Sequence, residues 1–180
     1  MRSVALLAIG LLALASCAPD PSPANLHQGM AQIVAPSAQV LWDVSNRGTN
    51  DEGEPDGRKL KTADWQALAA AAQALRDEAA SLASAKAIEA AAPGEKILNE
   101  GQSGASSAAQ VQQYIDQDRA GFSAESGRLR DVADAMFKAS AARDAGKLLN
   151  AAGELDAICE ACHVKYWYPQ EAAAQANAAR

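Results

Sequence analysis

Residues 148–166 read Leu-Leu-Asn-Ala-Ala-Gly-Glu-Leu-Asp-Ala-Ile-Cys-Glu-Ala-Cys-His-Val-Lys-Tyr, and their spacing decides the fold. Leu148, Ala152, Leu155, Cys159, Cys162 and Tyr166 recur at intervals of four, three, four, three and four. Apolar residues at such intervals form one stripe of an α-helix, which must be buried against other elements. The stripe predicts a helix over 144–166 that carries two thiols on its inward face. Pro169 stands where that helix should have ended. Arg143-Asp144-Ala145-Gly146 is a short turn, so the preceding helix should lie antiparallel beside it.

The same reading extends toward the N-terminus. Phe122, Leu129, Val132, Met136 and Phe137 mark the buried side of a third helix over 121–142. Trp65, Leu68, Ala72, Leu75, Ala79 and Leu82 mark a second, with Thr62 as its predicted N-cap, Asp64 in its first turn and Pro93-Gly94 at its end. Met30, Ile33, Val34, Ser37, Val40, Leu41 and Val44 predict a first helix over 26–46. Pro36 lies inside it and should kink or divide it, because proline removes a donor and crowds the preceding turn. Residues 47–61 and 95–109 read as loops, with some helix over 110–115. The chain is Ala-rich with 4% aromatic residues, and no stretch reads as a strand. These features predict an all-α fold, an antiparallel four-helix bundle, in one domain over 26–180.

Ahead of the bundle, Arg2 precedes an apolar run over 4–15 that is too short to span a membrane and reads as an export signal. Leu14-Ala15-Ser16-Cys17 resembles a bacterial lipobox. That reading makes 1–16 a removed signal peptide, Cys17 the lipidated residue, and 17–25 a Pro-rich tether. An ordinary secretory signal with an incidental Cys17 is the alternative. The chain would then face the periplasm, anchored by lipid, with Ala18 slightly favouring the outer membrane by resemblance to known sorting rules. The net charge of −6 argues against binding nucleic acid through basic patches. It suits a basic protein partner, or simply a solvated acidic surface.

The chemistry lies in Cys159-Glu160-Ala161-Cys162-His163. This C-x-x-C-H spacing is the signature of c-type haem attachment. The two thiols add across the two vinyl groups of the macrocycle, and the adjacent imidazole binds its iron. The chain has three Cys; with Cys17 used by lipid, the motif holds the other two. A thioredoxin-type dithiol would want a βαβ context, and a zinc site would want more ligands than His27 and His163 supply. Tyr166, one turn beyond His163, belongs against the same cofactor. Trp42, Trp65, Phe122 and Trp167 are either contacts to it or bundle core. No hydrolytic constellation is visible, which points to a haem-binding protein and not an enzyme.

With four predicted helices and C-x-x-C-H-x-x-Y near the C-terminus, the chain resembles the cytochrome c′ family, the class II c-type cytochromes. The resemblance covers about residues 26–168 and implies one covalent haem c. It implies thioethers at Cys159 and Cys162, and His163 as proximal iron ligand. Some family members place a Met from the first helix on the sixth position, and others leave it open. Met30 roughly matches that Met; ordinary core is its other reading. His27 is a poorer candidate. The two functional expectations are an electron carrier with periplasmic or membrane redox partners, and a five-coordinate protein that binds NO or CO. Family members often dimerise through their first two helices, which leaves a homodimer open here, while a kink at Pro36 could block or alter that contact. The chain departs from the family at Pro36, at the long 95–118 connection and at Tyr166-Trp167-Tyr168-Pro169.

Overall fold

A computed structural model describes residues 23–170, which run in order through β1 (Ala24–Asn25), α1 (Leu26–Gly29), a π-helical turn (Met30–Val34), α2 (Ala35–Arg47), a 3-10 turn (Gly57–Lys59), α3 (Thr62–Ser84), β2 (Ile88–Glu89), α4 (Ala108–Gln117), α5 (Arg119–Ala142) and α6 (Ala145–Tyr166). The fold is all-α apart from the two short strands. The signal peptide over 1–16, Cys17 and most of the tether lie outside the described residues.

The two long C-terminal helices each start on a side-chain cap that satisfies an otherwise orphaned N–H. The Asp144 carboxylate accepts from the Lys147 N–H at 3.0 Å and opens α6. Asp118 accepts from the Gly121 N–H at 3.1 Å and opens α5. A Cβ on Gly121 would collide with that carboxylate, so a larger residue there would push the cap aside. Arg143, at φ 53°, closes α5 in the left-handed conformation that helix C-termini favour, and the chain turns back at once into α6.

The apolar stripes meet in one core shared by α2, α3, α5 and α6. Leu41, Leu68, Leu75, Met136 and Leu155 are fully buried in it. Ala72, Ala79 and Ala133, also fully buried, let the backbones of α3 and α5 approach closely. A second cluster at one end joins Leu26, Leu82, Ile115, Phe122 and Tyr166. Met30 packs against both clusters.

Three local expectations are corrected. The second helix ends at Ser84, well before Pro93-Gly94. The chain beyond it leaves the helix because its backbone groups find other partners. β2 pairs in parallel with β1, Ala90 accepts from the His27 N–H, and Gln112 bonds both the Ala90 N–H and the Ile88 carbonyl. Thr62 is the first helical residue and not the cap; the Asp64 carboxylate accepts from the Lys61 N–H at 2.8 Å. The short helix expected over 110–115 is the longer α4, opened by a reciprocal Ser107–Gln110 capping box. At Pro36, as expected, the first helical stretch is divided, by the π turn Met30–Val34 between α1 and α2. Pro36 sits in the first turn of α2, directly after the π turn, where the Ala35 N–H bonds the Met30 carbonyl.

Candidate functional site

A cavity of about 690 Å³ lies where the two core clusters meet. Its α6 wall presents Cys159, Cys162, His163 and Tyr166, followed by Trp167. Another wall comes from the first helical stretch: His27 and Met30 before Pro36, and Gln39 and Trp42 after it. Ala31, Ala35 and Ala38 line this wall as well, and their small side chains keep the space open. Val111 and Phe122 contribute from α4 and α5. The segment Lys96-Ile97-Leu98-Asn99 forms a further wall.

Burial sets the protonation states. The Cys159 thiol is pushed up to about 11 by desolvation, with a smaller contribution from the Asp156 carboxylate. Desolvation pushes the Cys162 thiol up to about 12, aided by Glu125. Desolvation lowers the His163 pKa, against a weaker opposing pull from Glu160. At neutral pH the site thus presents two protonated thiols and a neutral imidazole with a lone pair to give. Cys159 and Cys162 are free thiols.

Aromatic contacts hold the end of α6. The His163 ring meets Trp167 edge-on at 4.9 Å between centroids and lies 5.9 Å from Tyr168. The Tyr168 hydroxyl donates to the Glu160 carboxylate. Tyr166 is 3% exposed and packs edge-to-face on Phe122 at 5.3 Å. Its hydroxyl donates to the Asp118 carboxylate at 3.1 Å, and the Lys165 ammonium pairs with the same carboxylate. One N-cap residue therefore fastens the end of α6 to the start of α5.

Every site residue expected within the described region lines this one cavity: Cys159, Cys162, His163, Tyr166 and Met30. His27 lines it too, its imidazole Nδ1 3.6 Å from the Glu95 carboxylate. Trp42, Phe122 and Trp167 also reach it. Trp65 does not; it is core, packed beneath Gly57. The Lys96–Asn99 wall was not anticipated. Its one sequence signal is the apolar pair Ile97-Leu98 within a polar, Gly- and Ser-rich stretch. Among the described residues, no three His, Cys, Asp or Glu side chains converge as a metal-ion site, and no helix is long and apolar enough to cross a membrane.

Comparison with protein families, curated proteins and solved structures found no match to this chain.

Proposed function

We propose that the protein is a c-type haem electron carrier of cytochrome c′ type, built as a four-helix bundle of α2, α3, α5 and α6 with the haem on α6. One observation carries this reading. Cys159, Cys162, His163 and Met30, from opposite ends of the sequence, open on a single 690 Å³ cavity. The volume lies in the range of cofactor pockets, about 300–1,000 Å³. The donor set fits the group: two thiols in thioether spacing, a neutral imidazole beside them, and a mostly apolar lining broken by few polar side chains.

Cys159 and Cys162 would hold the macrocycle as thioethers. His163 would be the proximal ligand, with Met30 as the sixth. When bound, the haem supplies a one-electron ferric–ferrous couple, and a Met ligand raises its potential. Trp167 packs on His163 and limits the ring's rotation, while Tyr166, pinned by Asp118, closes the cavity beside Cys162. Ala35, Ala38 and Trp42 of α2 would give the ring an apolar wall. No substrate is converted in this reading. The acidic chain would exchange electrons with basic redox partners while tethered through a lipid on Cys17.

The test is the optical spectrum of protein produced with haem-attachment machinery. A covalent haem retained after denaturation and a low-spin ferrous spectrum indifferent to carbon monoxide are expected. A high-spin spectrum that shifts on adding carbon monoxide would sink the Met30 assignment and leave the five-coordinate gas-binding reading. A protein that takes up no haem would sink both.

A further inference from the structure

We propose that Lys96 is the counter-charge for the carboxylates of the cofactor, so that the Lys96–Asn99 strap fixes the cofactor's orientation opposite the thiols of α6. The proposal rests on the haem reading above. Haem is an apolar ring with two propionate carboxylates, and a carboxylate at an apolar site needs a cation or hydrogen-bond donors. Lys96 is the cavity's sole Lys or Arg, and it has no carboxylate partner among the described residues. Lys86 is likewise outside every ion pair among the described residues but lies away from the cavity, whereas Lys96 is exposed at the cavity wall itself.

The strap that presents Lys96 is a built turn. The Glu95 carboxylate accepts from the Ala92 N–H at 3.0 Å and from the Asn25 side chain at 3.4 Å, which ties the strap to the start of α1. The Glu100 carboxylate accepts from the Ile97 N–H at 3.1 Å and from the Ala108 N–H at 3.3 Å, which ties its other end to α4. Asn99 takes the left-handed conformation at φ 64° that turns the chain there. Both carboxylates are turned onto these neutral donors, one on either side of Lys96 in sequence, and neither forms an ion pair with it. Leu98 lies beside it, 65% exposed, and an apolar ring edge at this wall gives it a partner. Asn99 and Gln39 add neutral donors to the same lining.

The experiment compares the haem-loaded full chain with Lys96→Gln, Lys96→Arg and Lys86→Gln, the last removing one positive charge away from the cavity lining. A cation near the ring favours the reduced state, so Lys96→Gln should lower the midpoint potential and shift the propionate bending bands in resonance Raman. Lys96→Arg should restore both, and Lys86→Gln should move neither. Equal potentials for Lys96→Gln and Lys86→Gln, with unchanged propionate bands, overturn the proposal. On the unmodified holoprotein, nuclear Overhauser contacts from the propionate methylenes to Lys96 are expected. Contacts to other residues alone overturn it even if the variants fail to fold. Absence of covalent haem in the unmodified chain is a separate result, which defeats the haem reading itself.

Discussion

The Ala35 N–H donates to the Met30 carbonyl, five residues back, where a regular α-helix would bond four back. This π turn lies immediately before Pro36, which has no N–H to donate. Helices often carry such turns at functional sites. Here it sets the rotation of the segment bearing Met30 relative to α2. In Pro36→Ala the recovered donor can bond four residues back and draw the turn into α register. That rotates the preceding residues by about 100° and takes Met30 off the cavity face. The expected outcome is a haem-loaded protein of equal or higher melting temperature whose spectrum moves from low spin toward high spin. An unchanged low-spin spectrum would show that Met30 does not depend on the turn.

The core shared by α3, α5 and α6 should carry most of the stability. Leu75 is fully buried, whereas Leu98 is 65% exposed. Leu75→Ala should cost about 2–5 kcal/mol, because it removes buried methyl groups and leaves a cavity among stiff neighbours. Leu98→Ala should stay within about 0.5 kcal/mol in the haem-free chain. Urea unfolding of both variants measures the contrast, and similar midpoints would contradict the packing described.

Most of this architecture was legible because burial repeats at helical spacing. The stripe from Leu148 to Tyr166 predicted α6 to its ends, but the two thiols on it are half-buried and pack against the core instead of filling it. The end of α3 was not legible. The Ala-rich residues 85–92 have helical composition, but they are drawn off by partners distant in sequence, such as Gln112 for Ala90. Local propensity loses to such bonds, and no periodicity announces them. The same holds for the site. His163 and its thiols are a contiguous motif, while the Lys96 wall and the Asp118–Tyr166 bond, 48 residues apart, exist only through the fold.

The partial burial of Cys159 and Cys162 predicts their reactivity. With pKa values near 11 and 12, almost no thiolate is present at pH 8. Thiolate is the nucleophile, and an ordinary cysteine has a pKa of about 8.5. Alkylation of the folded, haem-free chain at pH 8 should therefore run about 100-fold or more slower than in urea. The implication is that thioether formation is easier before the cavity closes around the motif. Equal rates in buffer and urea would refute the burial of both thiols.

Asp118 predicts the acid behaviour. Its carboxyl is held below the ordinary value, first by the hydrogen bond from Lys165, then by the Gly121 N–H and the Tyr166 hydroxyl. A carboxyl whose folded pKa is lowered stabilises the fold above its unfolded pKa, about 3.9, and loses that contribution as pH falls through the folded value. The ion pair is half exposed, so salt should weaken the effect. Asp118→Asn keeps a capping oxygen for Gly121 but removes the charge that Lys165 meets. The stability gap between the original chain and Asp118→Asn should be constant from pH 5 to 7 and should close below about pH 4. Denaturant titrations across that range test it. A gap that widens toward acid would mean that the charge at Asp118 opposes the fold, contrary to the three donors that converge on it.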